Sequence, residues 1–235
     1  MDDLKGLLSA SRLNRDCGQT YSSLLIPYTM TNLKIAIQKK GHLRDESILF
    51  LNSLGISCQQ KNNQLITKCP NTNIEIIFLR DDDIPNYVNK NLIDFGIIGE
   101  DVIKENNNQT KLVKKLGFSK CQLVMASPKD SDINSINDLQ GKRIATSYPN
   151  ILKKFLDLNK IQSSIVQVSG SVEVAPCLNL ADAVCDLTQT GNTLRQCGLE
   201  QFTTVLKSEA VLIENKLIKP EKQKLLDLIK QYANS

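Results

Sequence analysis

Short apolar runs alternate with amphipathic stretches along most of the chain. Leu33–Gln38, Ile74–Leu79, Ile93–Gly99, Cys121–Ala126, Arg143–Ser147 and Ile165–Val168 have the length and apolar character of buried strands. Between them, Asp45–Leu54 reads as an amphipathic helix with acids in its first turn and Gly55 beyond its end. Pro85 marks the first turn of a short helix, and Pro149–Leu158 and Val172–Leu178 are predicted as two more. Ala183, Val184, Cys185 and Leu187 form a further strand, and Asn106-Asn107-Asn108 marks a loop. Apolar strands alternating with helices imply a parallel sheet covered on both faces. The pattern weakens near Ser127–Asn137, which divides it into two α/β units. Residues 220–232 predict a short amphipathic helix, with Leu225, Leu226, Leu228 and Ile229 on its apolar side and the first unit as its packing partner.

The remaining composition narrows the function classes. The chain has 235 residues, enough for one large domain or two small ones, and a net charge of +4. That modest excess suits polyanionic metabolites, while no lysine/arginine tract or aromatic-basic array points to nucleic acid. No apolar run approaches the ~20 residues of a membrane-spanning helix. The seven cysteines (Cys17, Cys58, Cys69, Cys121, Cys177, Cys185, Cys197) are scattered without C-x-x-C spacing, and there is one histidine. They make no zinc site, and several lie inside apolar segments and read as small core residues in a reducing cytosol. Residues 1–31 lack a secretory apolar core, and Asp2 and Asp3 argue against an organelle transit peptide. They read as an extension, poorly ordered or locally helical.

The most informative segment is Ala181-Asp-Ala-Val-Cys-Asp-Leu-Thr-Gln-Thr-Gly-Asn-Thr-Leu194. A strand ends in Thr190-Gly191-Asn192-Thr193, and a helix is predicted to open at Leu194. A strand-to-helix turn presents unpaired backbone N–H groups and a positive helix terminus, which suit a phosphate. Gly191 permits close approach of the backbone, Thr190 and Thr193 can donate hydroxyl hydrogen bonds, and Asp186 can accept from sugar hydroxyls. A sugar phosphate is one reading. An ordinary turn with Asp186 as a solvated or capping carboxylate is the other.

Several segments in the same order resemble the ATP phosphoribosyltransferase family. They are Leu33-Lys-Ile-Ala-Ile-Gln-Lys-Lys-Gly41, Leu79-Arg-Asp-Asp-Asp-Ile-Pro85, Asp94-Phe-Gly-Ile-Ile-Gly-Glu100, Gly117-Phe-Ser-Lys-Cys121, Gly141–Asn150, Gly170–Pro176, the 181–194 segment and Lys207-Ser-Glu-Ala-Val-Leu212. The resemblance implies an α/β fold with the two-lobed architecture of type II periplasmic binding proteins and a ligand cleft between the lobes. Residues 32–125 and 203–235 would form lobe I, and 126–202 would form lobe II. The implied reaction joins ATP to phosphoribosyl pyrophosphate, giving N1-(5-phosphoribosyl)-ATP and pyrophosphate, the first step of histidine biosynthesis. The alternative is a non-catalytic module of the same fold that binds a small anion.

On the same resemblance, Asp186, Thr190, Gly191, Asn192 and Thr193 bind phosphoribosyl pyrophosphate. Glu173 and Asp186 act around the ribose and a Mg²⁺ ion, and with Arg80 they form the catalytic set. Lys39, His42, Arg80, Gly99 and Glu100 face the nucleotide. For Asp81–Asp83 and Glu173, helix capping is the competing explanation. The chain departs from the family at two places. His42 stands where the family usually has Gly-Arg-Leu, and Gln64 falls near a second arginine of many members. A histidine is a weaker, pH-dependent cation than a guanidinium, so Lys39, Lys40, Lys61 or a partner would have to compensate. Long-form members continue beyond Lys219–Ser235 into a histidine-binding domain. A native short form and a truncated long form are both readings of this ending. The expectation is a cytoplasmic chain that is a homodimer alone and that, as a native short form, joins a regulatory subunit resembling histidyl-tRNA synthetase.

Overall fold

The computed structural model describes residues 32–58, 64–106 and 110–232. The expectations for residues 1–31, Lys61 and the 107–108 loop lie outside them. Two mixed sheets, each with its own core, form the two lobes.

The first sheet has the order β2-β3-β1-β4-β11-β5. Its strands are β1 (Leu33–Gln38), β2 (Ile66–Lys68), β3 (Ile74–Leu79), β4 (Phe95–Gly99), β5 (Lys111–Lys115) and β11 (Ala210–Glu214). On β1, Leu33, Ile35 and Ile37 pack on one face with Leu51 of α1 (His42–Ser53) and Leu225 and Ile229 of α6 (Pro220–Tyr232). Ala36 turns to the other face, against Ile84 and Val88 of α2 (Ile84–Asn89) and Val102 of α3 (Glu100–Asn106). Burial on both sides is why β1 reads as a nearly continuous apolar run.

The second sheet has the order β10-β6-β9-β7-β8. It is built from β6 (Cys121–Pro128), β7 (Arg143–Thr146), β8 (Ser164–Gln167), β9 (Ala183–Thr188) and β10 (Leu199–Ser208). Alternate residues of β6 divide two cores. Leu123 and Met125 meet α4 (Pro149–Leu158), and Val124 and Ala126 meet Leu194 of α5 (Asn192–Gln196).

The chain crosses between sheets twice, through residues 116–120 and back through Glu209. The crossings run side by side, because Cys121 pairs with Ser208 in the antiparallel β6–β10 ladder. They are pinned by Leu116 N–H to Ala210 O at 2.9 Å and Gly117 N–H to Glu209 Oε2 at 3.0 Å. The expected boundaries at 125/126 and 202/203 fall inside β6 and β10.

Several local expectations need correction. The sheets are not all-parallel: β2–β3, β4–β11, β5–β11, β6–β9 and β6–β10 are antiparallel. Helix α1 starts at His42, three residues before Asp45, because Gly41 adopts φ 91° and its carbonyl accepts the Arg44 and Asp45 N–H groups. Val172–Leu178 is no helix beyond a 3-10 turn at Val172–Val174. Pro176 lacks the donor that would extend it, and Ser171 and Asn179 on either side take positive φ. Asn106 closes α3 rather than opening a loop. Cys185 is a buried free thiol as expected, but Cys58 and Cys69 are joined in a disulfide.

Candidate active site

A cavity of about 220 Å³ opens between the lobes. Gln38, His42, Asp81, Gly99 and Asp101 line it from the first lobe, and Tyr148 and Leu187–Gln189 from the second. A second cavity of about 290 Å³ lies within lobe II, lined by Glu173, Asp186, Thr190, Asn192 and Thr193. The two share Leu187, Thr188 and Gln189, so they adjoin along the carboxyl end of β9.

Strand β9 delivers Asp186, and the turn after it is closed by its own side chains. Gly191 sits at φ 72°, a left-handed conformation that a side chain would strain. Its N–H donates to Thr188 Oγ1 at 2.7 Å, so this amide is committed to the turn rather than to a ligand. Thr190 and Thr193 are exposed. Helix α5 begins at Asn192, two residues before Leu194, and has five residues, so its dipole contributes little. A fixed positive charge lies beside it. Arg195 folds back over the turn and donates to Thr190 O at 2.9 Å and Asn192 Oδ1 at 2.5 Å. The sequence reading missed Arg195; its spacing of three from Asn192, one helical turn, was the available signal.

Burial and the neighbouring charge of Glu173 push the Asp186 carboxyl up to about 6, although the Leu187 N–H donates to it at 2.8 Å. No group of three or more acidic, cysteine or histidine side chains suited to a metal occurs among the described residues. Two acidic side chains facing one pocket nevertheless fit a cation that keeps most of its water and takes other ligands from substrate phosphates.

The nucleotide-side residues are placed less uniformly. His42 opens α1 at the cleft, with Nε2 3.5 Å from Glu46 Oε1, and Glu46 also accepts from Ser119 Oγ at the crossing. Lys39 is exposed at the end of β1. Gly99 lines the cleft, where a Cβ would run into the Asp101 carboxylate. Arg80 is exposed at the end of β3 and lines neither cavity, whereas its neighbour Asp81 does. Glu100 does not join the cleft. Its carboxylate is held by Lys115 at 2.6 Å and Lys104 at 2.9 Å, which outweigh burial and keep its pKa low. Gln64 is exposed ahead of β2 and lines neither cavity.

Asp101 was not anticipated. It is buried between the lobes, bonded to Ser208 Oγ at 2.6 Å and to Tyr148. Burial raises its pKa against those hydrogen bonds. The same surroundings push the Tyr148 phenol far up and the Cys121 thiol to about 11, so neither is a nucleophile at neutral pH.

The family model for ATP phosphoribosyltransferase matches residues 80–234. An ATP phosphoribosyltransferase of Phocaeicola vulgatus is 44% identical over 195 residues, covering 83% of this chain and 69% of its own. The ATP phosphoribosyl transferase (HisG:HisZ) complex from Thermotoga maritima includes a chain of similar structure. Its TM-score is 0.71 and its identity 25%, over 86% of this chain and 98% of that one. A probable amino-acid ABC transporter extracellular-binding protein from Bacillus subtilis shares the fold. It has TM-score 0.59 and 15% identity, over 88% of this chain and 92% of that one.

Proposed function

The chain belongs to the ATP phosphoribosyltransferase family, and from that premise we propose that its two adjoining cavities receive the two substrates of the reaction. The activity is transfer of a phosphoribosyl group to ATP, the first step of histidine biosynthesis. A two-lobed anion-binding module shares the fold, but the family membership speaks for the enzyme.

The observation that carries the assignment is Asp186 beside Glu173, next to a threonine-rich turn, at the point where the lobe II pocket meets the cleft. Thr190, Asn192, Thr193 and Arg195 hold the 5-phosphate, with Gly191 fixing the turn. Asp186 and Glu173 face the ribose. Adenine N1 is an unprotonated lone pair, so the reaction needs no strong base, and among the described residues no activated nucleophile lines the cleft. What it requires is alignment of two polyanions and relief of charge on the departing pyrophosphate. His42 supplies a ring N–H donor at the first-lobe side, where Gly99 and Asp81 bound the nucleotide, and Lys39, exposed just beyond β1, supplies positive charge by reaching in from outside the cavities. Arg80 joins them by turning in from its exposed position. Mg²⁺ fits at Asp186 and Glu173, where it would offset pyrophosphate charge.

The lobe boundaries follow the sheets: 32–120 with 209–232, and 121–208. The chain is proposed to be a homodimer alone, and a separate regulatory subunit is in keeping with the Thermotoga maritima HisG:HisZ complex. No helix among the described residues is long and apolar enough to cross a membrane, and cytoplasm is the compartment proposed. The decisive experiment is pyrophosphate release from purified protein. Release should require both ATP and phosphoribosyl pyrophosphate and fall at least about 100-fold in Asp186→Asn. Release independent of either substrate, or unaffected by the substitution, would overturn the site.

A further inference from the structure

We infer that Glu105 is a positioning residue for the two-substrate reaction, because it caps a helix of the opposite lobe and so sets how far apart the lobes stand. Helix α4 begins without a cap of its own. Tyr148 makes no side-chain capping bond there, and Pro149 has no N–H to satisfy. The next two amides are taken by the other lobe. Asn150 N–H donates to Glu105 Oε1 and Ile151 N–H to Glu105 Oε2, each at 2.9 Å. In return, the Asn150 side-chain amide donates to the Glu105 carbonyl at 3.1 Å, near the end of α3. The carboxyl end of α3 thus meets the amino end of α4, and each satisfies groups the other leaves open.

Neither lobe needs this bond to fold. The first has its cores around β1 and the second around β6, on separate sheets. A serine or aspartate at position 148 would cap α4 from within its own lobe. What the Glu105 bond helps to fix, together with the Asp101 contacts to Tyr148 and Ser208 and beyond what either core fixes, is the separation across the cleft. The covalent link consists of two adjacent crossings, which leave rotation about them open. Glu105 sits one helical turn beyond Asp101, so α3 presents two acidic groups to residues 148–151 along one face.

The inference rests on the division of substrates proposed above, and three readouts separate its failure from failure of that division. The pocket assigned to phosphoribosyl pyrophosphate is lined by residues 173–194 alone, so its affinity reports on lobe II and not on lobe separation. In Glu105→Ala, exchange of the Asn150 and Ile151 amides should rise at least about tenfold. Turnover should fall about tenfold or more while the dissociation constant of phosphoribosyl pyrophosphate, measured by calorimetry, stays within about twofold. Glu105→Gln, which keeps one acceptor oxygen and the side-chain shape, should fall between Ala and the parent. Unchanged turnover with the two amides deprotected would overturn the inference, as would a loss of affinity in step with turnover. Small-angle scattering of the free proteins needs no activity. The Ala variant should have a larger radius of gyration, and an unchanged radius overturns the inference even if the parent protein proves inactive.

Discussion

Glu173 and Asp186 look into one pocket, and burial together with the Glu173 charge pushes the Asp186 carboxyl up to about 6. The pair therefore has an affinity for positive charge and for hydroxyl donors that depends on pH near neutrality.

Affinity for phosphoribosyl pyrophosphate should fall as pH drops through about 6, since protonated Asp186 no longer offers two acceptors. Calorimetry between pH 5 and 8 checks this, with Asp186→Asn flattening the profile. Stability moves the other way. The folded pKa lies above the unfolded one, so the folded state holds the extra proton between about 4 and 6, and charging Asp186 above 6 destabilises the fold. Asp186→Asn should gain about 1–2 kcal/mol above pH 6, after allowance for partial exposure, and this gain should vanish below about pH 4. Urea unfolding at both pH values measures it.

The phosphate turn should be sensitive at three positions. Thr193→Val removes a hydroxyl donor, and Gly191→Val imposes a side chain at φ 72°. Arg195→Leu removes the cation folded over the turn. Each should weaken phosphoribosyl pyrophosphate binding by roughly 1–3 kcal/mol with the fold intact by circular dichroism. Unaltered affinity in all three would place the phosphate elsewhere.

His42→Arg supplies a charge that does not depend on pH at a position lining the cleft. Turnover should rise. A pH–rate comparison in which the arginine variant is no faster at any pH would remove His42 from the phosphate contacts.

The isolated chain should be a homodimer by light scattering, with histidine leaving its mass and turnover unchanged. Addition of a regulatory subunit resembling histidyl-tRNA synthetase should confer histidine inhibition. A histidine-responsive hexamer of this chain alone would contradict this.

The strands and helices with sharp local signals were legible. Leu33–Gln38 and Ile74–Leu79 are apolar runs bounded by polar residues, and Pro149 starts α4 where its ring favours the first turn. The edge strand Lys111–Lys115 was not, because three lysines in five residues hide a strand buried on little of its surface. Strand β10 was missed because its two register shifts against β6 break the alternation. At the site, the 186–193 segment was visible since a turn is local chemistry. Asp101 and Glu105 were invisible for the opposite reason. Their partners Tyr148 and Asn150 lie in the other lobe, and no spacing within one segment encodes a contact across 45 residues.

Strand β11 lies between β4 and β5, which precede it in the chain by the whole of the second lobe. As the chain leaves the ribosome, residues 121–208 can close their sheet while the first sheet still lacks an interior member. Until β11 arrives, β4 keeps one unpaired edge and β5 has no strand to pair with, the kind of surface that sticks to other chains. The first lobe's completion is thus a late event, but the closed β6–β10 ladder sets Ala210 beside Leu116, so the long stretch of chain between β5 and β11 costs little to close once the second lobe has formed.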